Sequence, residues 1–397
     1  MNETGYLSYN GKRLRMGYTT GTCATAATMA AVEMILTQKP VHQVQLTTPA
    51  GVDLVLEIDH CQLSLDQASC SVVKDGGDDA DATDGLDIYA TVTRRQDNQI
   101  TLDGGQGVGR ITKPGLKIEP GNAAINPTPR KMIQEAARQL LGPDQGVDIL
   151  ISVPGGEETA KATQNPQLGI LGGISILGTS GIVRPMSEDT WKESITLEMQ
   201  QKKALGLDKL ILTPGNYGND FIAEHTHLNP DYIVQMSNFV GYVLLEAMRI
   251  GFTDILLVGH LGKFIKIAGG IFSTHSKDAD ARNEIMLANL ALLGAPLDLL
   301  QEVNEAITTE AQAELILAAG YGQVYQVIVD KIKARVLKLF KFRAPDIHVE
   351  AITFLSDHDV TVMTKPLKEL EAIWGWFMWL VLAQGKLIIW STMLLTS

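Results

Sequence analysis

Apolar positions change character partway along the chain. Residues 22–36 form a nearly unbroken run of small residues whose alanines favour helix over strand. Segments 41–48, 52–58, 69–74 and 86–94 alternate apolar with polar positions or are β-branched, with turn formers between them, and read as strands. Residues 129–141 have amphipathic helical spacing, which Gly142-Pro143 ends. From Val147 short apolar runs lead into glycine and then into helical pattern, the rhythm of a parallel sheet. Strands are expected at 147–153, 209–213, 254–258 and 347–353, and helices at 187–205, 238–250, 278–293, 309–319 and 323–340.

A chain of 397 residues exceeds the comfortable size of one hydrophobic core, so two domains are expected. The boundary falls near residue 190. An α+β domain (1–190) carries glycine-rich substrate loops, and an α/β domain with a short parallel sheet follows (191–370). Residues 371–397 form an atypical tail that reads as foreign to the fold. Its apolar run 373–383 holds three tryptophans, and Gln384, Gly385 and Lys386 separate it from the apolar run 387–390. Neither run reaches the roughly 20 apolar residues that span a bilayer, so a buried or interfacial segment is expected there. With suitable codons, residues 375–390 in another frame resemble the start of a tetrapyrrole methylase. A membrane anchor and a frame slip are the two alternatives to a buried segment, and the gene's nucleotide sequence tests the second.

The net charge of −12 argues against a nucleic-acid partner but leaves room for a small anionic substrate in a locally basic pocket. Cys23, Cys61 and Cys70 lack the number and spacing of a disulfide framework or zinc site, and no apolar leader is seen, so reduced thiols in the cytoplasm are expected.

The 37 glycines cluster in short strings, where backbone must turn tightly or approach a ligand. Thr19, Thr20, Gly21, Thr22 and Cys23 precede the alanine-rich helix. Its first N–H groups either receive an anion or are capped by threonine. Cys23 reads as a small buried thiol. Asp75-Gly76-Gly77-Asp78-Asp79-Ala80-Asp81 lacks the spacing of a calcium loop and reads as an acidic turn, with Asp78 a candidate base. Gly104-Gly105-Gln106-Gly107-Val108-Gly109-Arg110, then Lys113-Pro114, ends in cations suited to carboxylates. As a dinucleotide fingerprint it fails, because Lys113-Pro114 interrupts any following helix.

Gly155 and Gly156 allow a ligand to approach, while Glu157 and Glu158 either accept ribose hydroxyls or complement a helix dipole. Asn216, Tyr217 and Gly218 suit a cofactor ring edge, or an ordinary turn. Arg184 is a candidate bidentate carboxylate anchor. Lys263 and Lys266 share one helical face, with Thr274, His275 and Ser276 beyond it. His260 and His275 are candidate acid–base groups or ligands of a substrate metal; the plainer alternative is a hydrogen-bonded histidine with no such role.

Gly17-Tyr18-Thr19-Thr20-Gly21-Thr22-Cys23-Ala24, the acidic glycine turn and Gly107-Val108-Gly109-Arg110-Ile111-Thr112-Lys113-Pro114-Gly115-Leu116 resemble the CbiD family. So do Ala124-Ile125-Asn126-Pro127, Val153-Pro154-Gly155-Gly156-Glu157, Gly172-Gly173-Ile174-Ser175-Ile176-Leu177-Gly178-Thr179 and Gly215-Asn216-Tyr217-Gly218. Ser237-Asn238-Phe239-Val240-Gly241, Gly259-His260-Leu261-Gly262-Lys263 and Thr274-His275-Ser276 complete a likeness that spans roughly residues 15–360. The tryptophan-rich tail departs from it.

The resemblance implies an enzyme of the oxygen-independent route to cobalamin, methylating ring carbon 1 of cobalt-precorrin-5B from S-adenosylmethionine to give cobalt-precorrin-6A. It implies a first domain related to a permuted ribosomal S5 domain 2-like fold. The donor is expected beside Gly155, Gly156, Glu157 and Glu158 and beside Asn216, Tyr217 and Gly218. Thr19, Thr20, Thr22, Arg110, Lys113, Arg184, Lys263, Lys266, Thr274 and Ser276 are expected to meet the polyacid macrocycle. Cobalt arrives with the substrate, so no protein metal site is expected, nor any nucleic-acid or membrane partner; self-association into a homo-oligomer stays open. Two competing readings are a dinucleotide-dependent oxidoreductase and a tetrapyrrole carrier that takes up no donor.

Overall fold

The computed structural model describes residues 5–9, 11–340, 346–355, 360–376, 378–383 and 386–391. The chain divides into two compact units, Met1–Thr190 and Trp191–Ser397.

In the first unit the small-residue segment forms the helix Thr20–Thr37. Ala24, Ala26, Ala27, Ala30 and Ala31 are fully enclosed, as fits a helix apolar on nearly every side. It packs beside the helix Pro127–Leu140 and against a five-stranded sheet. The strands run in the order Asp59–Leu63, Gln67–Val73, Asp87–Arg95, Gly146–Ser152, Ile100–Gly104. All neighbours are antiparallel except the last pair.

The strand Gly146–Ser152 therefore does not open a parallel sheet, as its sequence context suggests. It lies antiparallel to Asp87–Arg95, with Val147, Ile149 and Ile151 buried and Leu150 exposed. Alternation of this kind belongs to a sheet with one covered face, and apolar composition alone does not reveal the partner. Asp59–Leu63 and Ile100–Gly104 escape sequence detection because few of their side chains are buried.

Three glycine strings meet in this unit. Gly107–Val108 pairs in parallel with Gly173–Ile174, and Gly156 abuts the same backbone. A Cβ on Gly107 would lie 1.9 Å from the Val153 carbonyl, and one on Gly156 would lie 2.2 Å from the Gly107 carbonyl. Backbone fills the space that side chains elsewhere occupy.

The acidic turn folds around cations. The Lys74 ammonium is buried and meets Asp81 at 2.8 Å, while Arg15 grips Asp75 with bonds of 2.5 and 2.7 Å. Burial alone would raise the Asp81 pKa, but the Lys74 charge and hydrogen bonds from Lys74 and Thr83 hold it below the ordinary value.

The second unit holds a sheet in the order Ile233–Gln235, Lys209–Thr213, Asp254–His260, His348–Phe354, Thr361–Met363. The first four strands are parallel and the last is antiparallel. Ile255 and Leu257 join the core beneath most of the helices, while Leu256 and Val258 join a second core with Ile222, Leu370 and Trp374. A strand covered on both faces reads as a continuous apolar run, which is why 254–258 was legible. Gly259 extends that strand rather than beginning a loop. Of the tail, Trp374 is buried, and Met378–Ala383 pairs antiparallel with Lys386–Ser391. Whether those tail side chains are buried, and residues 377, 384–385 and 392–397 altogether, lie outside the described residues.

Gly107→Ala is expected to cost more than ~4 kcal/mol or to prevent folding, because a Cβ there meets backbone. Gly121→Ala, where φ is +89° and nothing lies within 4 Å, should cost only about 1–2 kcal/mol. Urea unfolding of the two variants checks this. Asp81→Asn strands the buried Lys74 charge and is expected to cost about 3–5 kcal/mol at pH 7. Because the folded pKa of Asp81 is depressed, its contribution is complete above the ordinary value of 3.8 and fades as pH falls through the lower folded value. Wild-type stability should thus fall more steeply on acidification than that of Asp81→Asn, measured by urea midpoints from pH 7 downward.

Candidate functional site

The threonines at the start of the first helix hold its first turn in place. Thr19 Oγ1 accepts the Thr22 N–H at 3.3 Å, Thr22 Oγ1 donates to the Gly181 carbonyl at 2.8 Å, and Thr20 Oγ1 accepts the Leu177 N–H at 2.9 Å. All three are buried. Of the two readings of the helix start the structure displays capping by Thr19, with Thr20 and Thr22 bonded to residues 177 and 181. Burial pushes the Cys23 thiol up to about 12, so no thiolate nucleophile forms there.

The exposed Arg110 guanidinium holds Asp103 at 2.8 and 3.1 Å and donates to the Gly104 and Gly121 carbonyls. Asp78 accepts the Arg15 backbone N–H at 2.6 Å and acts as a turn former. By contrast Lys113 and Arg184 are exposed and, among the described residues, have no ion-pair partner.

Around the glycine crossing lies an open cleft of about 320 Å³, lined by Gln106, Gly107, Gly155, Glu157, Glu158 and Lys161. Gly155 has φ +81° and open space where a side chain would stand. Gly156 does not, since its bare face receives Gly107 and not a ligand. Glu158 pairs with Lys161, a cation the sequence reading overlooked. Gln106 was overlooked too, although it sits inside the glycine string.

In the second unit the strand order reverses between Lys209–Thr213 and Asp254–His260, with Ile233–Gln235 on one side and His348–Phe354 on the other. Ligands of open parallel sheets bind beyond the carboxyl ends at such a reversal. The residues there are those of the turn Gly215-Asn216-Tyr217-Gly218 and His260. Gly218 lets its helix, Asn216–His225, approach the sheet, for a Cβ would lie 2.9 Å from both Thr213 Cβ and the Val258 carbonyl. Tyr217 is 73% exposed and its ring centroid stands 6.4 Å from that of His260. Phe354 meets His260 edge-on at 5.9 Å and stacks on Phe221 at 4.2 Å, giving the crevice an aromatic wall. The Asn216 side-chain carbonyl accepts from Gln235 at 3.2 Å.

Both ring nitrogens of His260 are engaged. Nδ1 accepts the Gly262 N–H at 3.2 Å, capping the helix Leu261–Ala268, which leaves the proton on Nε2 facing Glu310 at 3.1 Å. His260 thus caps its helix and ties it to Glu310. Nothing near it in sequence announced Glu310, which arrives from the first turn of Thr309–Ala318. His275 and Ser276 are exposed, and His275 Nδ1 accepts the Lys277 N–H in a local turn. Lys263 is exposed, whereas Lys266 and Thr274 are buried together, with the ammonium 3.1 Å from the Thr274 carbonyl. Among the described residues no cluster of His, Cys, Asp and Glu is fit to hold a metal ion, and no helix is long and apolar enough to cross a membrane.

Comparison with known proteins gives a consistent family. The CbiD model matches residues 7–185 and the model of the CbiD C-terminal domain matches residues 273–365. A curated protein of Listeria welshimeri, named cobalt-precorrin-5B C(1)-methyltransferase, is 52% identical over 369 residues, covering 93% of this chain and 99% of that one. One of the same name from Tolumonas auensis is 49% identical, covering 91% and 96%. A solved cobalamin biosynthesis protein of Archaeoglobus fulgidus aligns at 28% identity and a TM-score of 0.35 over 70% of this chain and 87% of that one. Two family models and relatives near 50% identity along more than 90% of the sequence place the chain in one group: it belongs to the CbiD family.

Proposed function

We propose that this protein transfers the methyl group of S-adenosylmethionine to ring carbon 1 of cobalt-precorrin-5B, giving cobalt-precorrin-6A in cobalamin synthesis. The observation that carries the reading is about 50% identity along nearly the full length of relatives bearing that activity in their names. The electron pair of ring carbon 1 forms the new C–C bond as the S–CH3 bond breaks, and the sulfonium leaves as a neutral thioether. Such an in-line displacement needs alignment and exclusion of water more than it needs a protein nucleophile. The sealed, proton-bearing Cys23 agrees with that requirement.

The donor's adenosyl group is assigned to the strand reversal of the second unit, where Tyr217 offers an exposed aromatic face and Asn216 an amide. Stacking of a base on an aromatic ring contributes about 1–3 kcal/mol in other proteins. The glycine cleft is the second donor candidate, with Glu157 and Glu158 as acceptors for ribose hydroxyls. Lys113, Arg184 and Lys263, exposed and without counter-ions among the described residues, are assigned to the carboxylates of the macrocycle. The first unit is read as the permuted S5 domain 2-like fold. In support, a helix precedes the strands Gln67–Val73, Asp87–Arg95 and Ile100–Gly104, and a second helix precedes Gly146–Ser152. Three free cysteines, two of them buried, suit a reducing cytoplasm.

Purified protein incubated without oxygen with methyl-labelled S-adenosylmethionine and cobalt-precorrin-5B should place one label on the ring. An unlabelled ring with authentic substrate rejects the assignment. Tyr217→Ala should weaken S-adenosylhomocysteine binding about tenfold, ~1.4 kcal/mol, and Glu157→Gln should leave it unchanged; the reverse outcome moves the donor to the glycine cleft. A variant that binds it like the parent protein places its loop outside the donor site.

A further inference from the structure

Lys266 lies in the last turn of the helix Leu261–Ala268 and is 3% exposed. An ammonium withdrawn from water is costly unless an opposite charge or a full set of acceptors meets it. Among the described residues it has one acceptor, the Thr274 carbonyl, and no carboxylate within ion-pair distance. The nearby acids are engaged elsewhere: Asp278 accepts from Ser273, and Asp280 holds Arg282 at 2.8 Å. The hydroxyl of Thr274, itself 3% exposed, has no hydrogen-bond partner among the described residues. A cation with two unused hydrogens thus sits beside an orphaned hydroxyl on the residue it already contacts.

Burial lowers the affinity of Lys266 for its proton; Asp280 and Asp278 oppose this, and Arg282 and Lys263 add to it. An arriving anion would restore the charged form and satisfy both groups at once. Thr274 belongs to residues 271–281, which form no helix or strand. Their backbone links to the next layer include Gly241 N–H to the Phe272 carbonyl and Thr274 N–H to the Asn238 carbonyl, at 3.1 and 3.2 Å.

We propose that Lys266 and Thr274 form a receptor for a single carboxylate, which enters as residues 271–281 shift. The inference deepens the proposed function and rests on it for the source of the carboxylate, since the macrocycle side chains and the amino-acid end of the donor both carry one.

Binding of uroporphyrin, of its uncharged amide and of S-adenosylhomocysteine to the full chain tests the idea, with Lys266→Met, Lys266→Arg and Thr274→Val compared. Lys266→Met should weaken one of the two acids at least tenfold and leave the amide unchanged, while Lys266→Arg stays within threefold of the parent. Lys266→Met should also melt no lower than the parent, because it removes an uncompensated buried charge. Loss confined to uroporphyrin assigns the carboxylate to the macrocycle, and loss confined to S-adenosylhomocysteine assigns it to the donor. Unchanged binding of both acids, or equal loss of acid and amide, overturns the proposal. Should Lys266→Met fail to fold, Thr274→Val decides, with selective loss of an acid supporting the receptor and unchanged binding rejecting it. Carboxylate binding that depends on Lys266 without any methyl transfer would reject the proposed function and leave the receptor standing.

Discussion

A parallel sheet buried on both faces leaves polar chemistry only its ends. In the second unit successive residues of Asp254–His260 enter opposite cores, so no side chain from the middle of that strand reaches water. The first polar group to emerge is His260, and it emerges where the strand order reverses. Tyr217, Glu310 and the helix bearing Lys263 and Lys266 all take their places from that emergence. The crevice is a consequence of core packing before it is a device for binding.

Charge in the first unit serves folding to an unusual degree. The four aspartates of the acidic turn become acceptors for Arg15, Lys74 and backbone N–H groups, among them the Asp79 carboxylate accepting from the N–H of Met186. Arg110 is held by Asp103 only seven positions earlier. Lys113, Arg184 and Lys263 are exposed and, among the described residues, have no ion-pair partner. A net charge of −12 is therefore compatible with local basic groups.

Periodicity made most elements legible. The helices Glu188–Ala204, Gln323–Leu339 and Thr309–Ala318 lie within a residue or two of expectation, since their apolar stripes face a core. Partnership was less legible: Gly146–Ser152 carries the composition of a parallel strand and the neighbours of a mixed sheet. Glycine was ambiguous for a physical reason. A missing Cβ admits a ligand or another backbone equally well, and at Gly107, Gly156 and Gly173 backbone occupies the space. Histidine was ambiguous similarly, because the helix cap on Nδ1 was readable from Leu261-Gly262 whereas the partner on Nε2 came from fifty positions away.

The pairing of Gly17–Tyr18 with Ile182–Val183 has a bearing on synthesis. The first helix is stapled at its start to carbonyls and amides of residues 175–181, so its threonines find their partners only after about 160 further residues have been made. A nascent chain must shelter an alanine-rich helix, buried on most sides in the finished fold, through that interval. Long sequence separation between contacts slows folding.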